Sequence, residues 1–210
     1  MSLNVQFPKR RVEIADLLNS PIMAGQYRGE EVWEELEKVM DDVPEGTLIL
    51  FDIRKAMPLQ YTFCQYAFGP LLNALDTRRW LNKYVIFQMY DFHRSGFFRG
   101  VLKCLREDLP RKEAEKEFVS AGFYVKLIVE GEESISFVGR LTENQKRTLA
   151  AVNELKEVTT RQVVEKLGLS EEDVVEALHF LVDKYFVVKS DAQAPTIPHY
   201  FSFNKYLGKE

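Results

Sequence analysis

The fold turns on Thr47-Leu48-Ile49-Leu50-Phe51-Asp52-Ile53 and on its counterpart Lys83-Tyr84-Val85-Ile86-Phe87-Gln88-Met89. Each is an apolar run too short for a helix and rich in β-preferring side chains, the pattern of a strand buried on both faces and paired with parallel neighbours. Between them, residues 60–75 read as a helix interrupted or bent near Gly69-Pro70, and polar corners at residues 54–58 and 91–96 follow the two strands. Upstream, residues 30–40 place Val32, Trp33, Leu36, Val39 and Met40 at helical spacing with acids on the opposite face. Downstream, Phe97, Val101, Leu102, Cys104 and Leu105 give another amphipathic helix. Strands alternating with helices predict the α/β class, with a small, mostly parallel sheet and crossover helices. Two β-rich stretches flanking Gly131-Glu132-Glu133 predict a hairpin at its end.

From about residue 140 the pattern changes, which divides the chain into an α/β domain at 1–139 and a second domain at 140–210. Leu149, Val152 and Leu155 line a helix that Thr142 is placed to cap. Residues 159–167 form a second short helix, and Gly168-Leu169 makes a turn. Val174, Val175, Leu178, Leu181, Val182 and Tyr185 line a third helix, opened by Ser170 with Asp173 three residues on, a capping-box spacing. Phe186-Val187-Val188 and residues 200–203 flank a proline-bearing polar loop, so three helices and a two-stranded wing are expected. There is no internal repeat.

Composition narrows the function. The 210 residues are 46% hydrophobic and 29% charged, which excludes collagen-like and disordered chains. With 28 basic and 32 acidic residues and a formal net charge of -4, no global positive field gathers nucleic acid. No apolar window is long enough to span a membrane, and no leader pattern opens the chain, so a cytoplasmic protein with no membrane association is expected. Cys64 and Cys104 stand far apart with no completing metal-binding spacing, and read as reduced core thiols. The three histidines, His93, His179 and His199, fall on different elements, so neither metal nor cofactor is expected.

Residues 141–203, from Leu-Thr-Glu-Asn-Gln through Thr-Thr-Arg-Gln-Val-Val-Glu-Lys-Leu-Gly-Leu-Ser and Ala-Leu-His-Phe-Leu-Val-Asp-Lys-Tyr to the wing, resemble a winged helix-turn-helix domain. That resemblance implies DNA recognition or protein docking. In the first part, residues 46–54 followed by Tyr61-Thr-Phe-Cys-Gln-Tyr-Ala-Phe-Gly-Pro-Leu-Leu72 look like the strand and following helix of STAS-like domains, regulatory modules typified by anti-sigma-factor antagonists. The Asp-Ser-Ser-Gly signature of those antagonists is absent here. Thr62 is the nearest hydroxyl by position to their phosphoacceptor.

The candidate site is the rim where the two central strands end. Asp52, Arg54 and Lys55 follow the first strand and Asp91, His93, Arg94 and Ser95 follow the second, so parallel strands would bring them to one edge, where open α/β sheets take ligands. Arginines and a lysine there are suited to a phosphate or carboxylate. The competing reading is that Asp52 or Asp91 simply pairs with a neighbouring arginine. Cys64, His93 and Asp91 supply the residue types of a nucleophile, base and orienter, but no Gly-rich phosphate loop, HExxH or GxSxG accompanies them, so no catalytic residue is assigned and a hydrolase using this rim ranks third.

Residues 140–210 hold 10 basic and 11 acidic side chains, and residues 1–139 hold 18 and 21, so neither part is basic. The third helix opens with Glu171, Glu172 and Asp173 and continues with Glu176, which would face phosphates in a major groove. The candidates for DNA contact are Lys156, Arg161, Gln162, Lys166 and Lys189. The sequence therefore describes a non-catalytic regulatory protein related to transcription, whose α/β domain senses or binds a partner and whose winged helix contacts DNA or protein. A docking adaptor without DNA binding is the alternative. A protein is the expected partner, and a second copy of the chain, as a homodimer, is another.

Overall fold

A computed structural model describes residues 8–105, 118–119, 124–129, 135–190 and 198–203. Two compact units divide at Arg140 and Leu141.

The first unit is a five-stranded sheet in the order β1-β2-β3-β4-β5, with β1 Lys9–Glu13, β2 Leu48–Asp52, β3 Tyr84–Met89, β4 Val125–Val129 and β5 Ser136–Val138. The first four strands are parallel and β5 is antiparallel to β4, the pairing expected of the hairpin, whose turn at residues 131–133 lies outside the described residues. A single turn, α1 (Ile14–Leu17), follows β1; α2 (Gln26–Asp42), α3 (Tyr61–Asp76) and α4 (Asp91–Leu105) follow in turn. Period 2 sorts the strand residues. Ile49, Phe51, Val85, Phe87 and Leu127 face the helices and join Leu36, Phe63, Phe68 and Phe97 in one apolar core, with Phe87 and Phe97 ring centres 4.9 Å apart. The opposite face carries Leu48, Asp52, Tyr84, Ile86 and Lys126, all buried.

The helices pack backbone to backbone around α3. A methyl group at Gly29 of α2 would lie 2.8 Å from the Phe63 carbonyl and the Tyr66 Cβ, and one at Gly100 of α4 would fall onto the Tyr61 carbonyl and the Cys64 Cβ. Glycine is required where two helices approach this closely.

Several elements differ from the sequence reading. The helix expected to be interrupted or bent near Gly69-Pro70 is not interrupted, and Pro70 lies inside it; Ala67, Phe68, Leu71 and Leu72 around the proline are buried, and that burial holds the turn. Strand β1 was not anticipated, because Lys9, Arg10 and Arg11 are exposed and only Val12 is buried. The corner expected at residues 91–96 is helical, since α4 starts at Asp91 directly after β3.

In the second unit, α5 (Glu143–Leu155) is followed by β6 (Glu157–Thr159), α6 (Thr160–Leu167), α7 (Glu171–Asp183), β7 (Val187–Ser190) and β8 (His199–Ser202). The strands form an antiparallel sheet in the order β6-β8-β7. Thr142 caps α5 and Thr159 caps α6, each in a reciprocal box with the glutamine three residues on. Gly168 ends α6 with φ 63°, a left-handed position suited to glycine. Ser170 accepts from the Asp173 N–H at 3.1 Å, while its hydroxyl donates to the Asp173 carboxylate at 2.6 Å instead of completing the box. The three-residue β6, too short to show a period in the sequence, is the third strand of this sheet. Val152, Val163, Leu178, Leu181, Phe186 and Phe201 form the core.

Candidate functional site

The parallel pairing of β2 with β3 brings the predicted rim residues to one edge. Asp52 is the last residue of β2, and Asp91, His93, Arg94 and Ser95 occupy the first turns of α4. Asp52 is fully buried and is held by two arginines. The Arg54 guanidinium donates to Oδ1 at 3.0 Å through Nε and to Oδ2 at 2.7 Å through Nη2, its backbone N–H reaches Oδ1 at 3.1 Å, and Arg11 donates to Oδ2 from β1. Burial alone would raise the Asp52 pKa; the hydrogen bonds from Arg54 and Arg11 overcome that and hold the carboxyl below its ordinary value. Arg11 was missing from the sequence reading, since it lies 41 residues from its partner. Only the adjacency of β1 and β2 connects the two.

The remaining charges at this edge are also paired. Lys55 lies 3.3 Å from Glu13 and 3.9 Å from Asp16, and Arg94 lies 3.6 Å from Asp91. Ser95 is exposed and Thr62 is half-buried in the first turn of α3. The reading in which the rim carboxylates pair with neighbouring arginines therefore describes the geometry. His93 is buried: its Nδ1 accepts from the Tyr90 N–H at 3.4 Å, and its Nε2 contacts the Ala56 carbonyl at 2.9 Å, which fixes the proton on Nε2 in the neutral ring. Desolvation lowers its pKa, only partly offset by the bond to Ala56. His93 thus clamps the start of α4 to the loop after β2. Cys64 is buried in α3 with its thiol pKa pushed far up by desolvation, which opposes nucleophilic use. The side chain of Cys104 lies outside the described residues.

Beside the exposed Lys55, Asp91 and Ser95, this edge also leaves large apolar side chains to solvent. Met57 is 61% exposed, Phe92 62% and Ile22 47%. Phe92 stacks on Tyr90 with centroids 5.4 Å apart and meets His93 edge-on at 4.1 Å. The loop carrying Ile22 is tied to the loop carrying Met57 by Met57 N–H to Pro21 O at 2.8 Å and Met23 N–H to Pro58 O at 3.1 Å.

No protein-family model and no curated protein matches the chain. Among the described residues no group of three or more His, Cys, Asp and Glu side chains is arranged to hold a metal ion, and no helix is long and apolar enough to cross a membrane.

The second unit carries the other candidate surface. Helix α7 contains Glu171, Glu172, Asp173, Glu176 and Asp183 and no lysine or arginine, and Glu172, Glu176, His179 and Asp183 are exposed along one face. A cleft of about 370 Å³ between the starts of α5 and α7 is lined by Glu143, Gln145, Asp173 and Glu176 among others. Of the DNA-contact candidates, Arg161 pairs with Glu165 at 2.8 Å, Lys166 pairs with Glu154 at 2.7 Å, and the Gln162 side chain accepts from the Thr159 N–H in the helix cap. Lys156 and Lys189 are exposed.

Proposed function

We propose that this protein is a non-catalytic regulatory adaptor, in which a STAS-like α/β module is joined to a winged helix-turn-helix that docks onto a protein. The element order of residues 141–203, with three helices, a three-stranded antiparallel sheet and the α6-turn-α7 pair, supports the winged-helix assignment. The observation that carries the choice of partner is the third helix: its outward face presents carboxylates and no lysine or arginine. In a major groove those carboxylates would meet phosphates, so a basic protein surface suits them better. The paired charges and apolar residues of the strand-end rim likewise suit a macromolecular partner better than a small anion. An adaptor of this kind acts in the cytoplasm, without cofactor.

DNA contact is the second reading, favoured by exposed Lys156 and Lys189 on the strands and turns of the unit. Titration of the full chain into labelled genomic duplex fragments at low and near-physiological salt, with the mass of the complex recorded, separates the two. The adaptor reading expects no retention at the higher salt. Retention there that weakens for all sequences in an Arg161→Ala, Lys189→Ala double variant would overturn it.

A further inference from the structure

We infer that the outer edge of β1 is a docking site for an extended acidic segment of a partner protein, which adds to the sheet as a further strand. Among the described residues, β1 pairs with β2 on one side and with no strand on the other. The Leu48 N–H donates to the Pro8 carbonyl at 2.8 Å. In the evenly spaced parallel ladder this phase directs the backbone groups of Arg10 and Val12 to β2 and turns the N–H and C=O of Lys9 and Arg11 outward. Those groups form a template for one more strand. Beside them, on the helix-bearing side of the sheet, a cleft of about 530 Å³ is lined by Arg10 and by Lys38, Val39, Asp41, Asp42 and Val43 at the end of α2. An edge strand flanked by a helix groove supplies both the backbone ladder and a place for alternate side chains.

Charge selects the occupant. Lys9, Arg10 and Arg11 are consecutive and exposed. A second copy of β1 would set these cations against themselves, and like charges opposed across a ladder destabilise it. Basic residues on an edge are a common defence against self-association, and the same residues admit a strand of opposite sign. An incoming strand would place an acid beside Lys9, since Arg11 in the same row is held on Asp52, and its other face would meet the cleft of Arg10, Lys38, Val39 and Val43, which Asp41 and Asp42 also line. This surface lies on the first unit and is independent of α7, so the failure of either assignment leaves the other standing.

The test is fluorescence anisotropy of a labelled peptide of alternating glutamate and valine added to the full chain. Saturable, salt-sensitive binding is expected, with none for the lysine-valine counterpart. The charge-reversed variant Lys9→Glu, Arg10→Glu, checked for folding by its tryptophan emission, is expected to bind about tenfold more weakly. Methylation of alternate backbone nitrogens in the peptide is expected to abolish binding, since it removes the ladder while leaving every carboxylate. Absence of binding at millimolar peptide, or equal binding by the methylated peptide, would overturn the proposal.

Discussion

The strand-end rim and helix α7 both concentrate charge, and they arrange it in opposite ways. At the rim, Arg11 and Arg54 converge on Asp52, Lys55 on Glu13 and Asp16, and Arg94 on Asp91. On α7 the acids lie in rows of one sign and face solvent. Asp52, the buried member of this set, is held by both arginines, and removing a partner of a buried charge leaves it desolvated. Charges that face solvent on a helix surface, such as Glu172 and Glu176, contribute little to stability. The contrast separates carboxylates tied into the fold from those that the proposed docking would use.

The largest expected effect comes from breaking the rim. Asp52→Asn removes the carboxylate that accepts from two guanidinium groups, and is expected to cost about 2 to 3 kcal/mol, toward the lower end for a buried pair because both arginines reach solvent. Urea unfolding followed by tryptophan emission measures it, since Trp33 and Trp80 both belong to the first unit and pack edge-on at 6.1 Å. A loss below about 0.5 kcal/mol would place the rim with the displayed charges instead.

A smaller effect is expected from pH. His93 is neutral in the fold with its pKa below the ordinary 6.5. Between the two values the unfolded chain binds the extra proton, so the contribution of His93 is complete above pH 6.5 and is lost as the pH falls below it. The slope is at most about 1.4 kcal/mol per pH unit. His93→Gln is expected to flatten that part of the stability profile. Asp52 adds a separate loss at lower pH, because its depressed pKa makes its contribution present above 3.8 and absent once the folded carboxyl is protonated. An unchanged profile in the histidine variant would show that the clamp to Ala56 does not govern this edge.

The smallest effect is expected on α7. The pair Glu172→Gln and Glu176→Gln is expected to shift stability by no more than about 0.5 kcal/mol, including the slight loss of a favourable charge near the helix start. Thermal unfolding followed by far-ultraviolet circular dichroism checks this, as the tryptophans do not report on the second unit. A larger loss would mean that these carboxylates are structural and would erase the contrast with the rim.

Legibility in the sequence followed the same division. The strands β2 and β3 were readable because both their faces are buried, so their apolar character is nearly continuous. The carboxylates of α7 were readable because a helix face is set by local spacing. By contrast, β1 is an edge strand whose exposed cations hid its periodicity. The bond from His93 to a backbone carbonyl, 37 residues away, leaves no mark on residue types. The convergence of Arg11 on Asp52 needed the tertiary pairing of β1 with β2. Sequence reading thus found the residues of the rim and the pairing of Asp52 and Asp91 with neighbouring arginines, and missed Arg11, because partnership across strands is not encoded in local pattern.

The order β1-β2-β3-β4 repeats the order of the chain. Each strand after the first meets a neighbour that has already been synthesised, with one crossover to close before pairing. A nascent chain leaving the ribosome can therefore extend this sheet one strand at a time from its amino-terminal end, without waiting for a distant segment to be inserted between strands already paired.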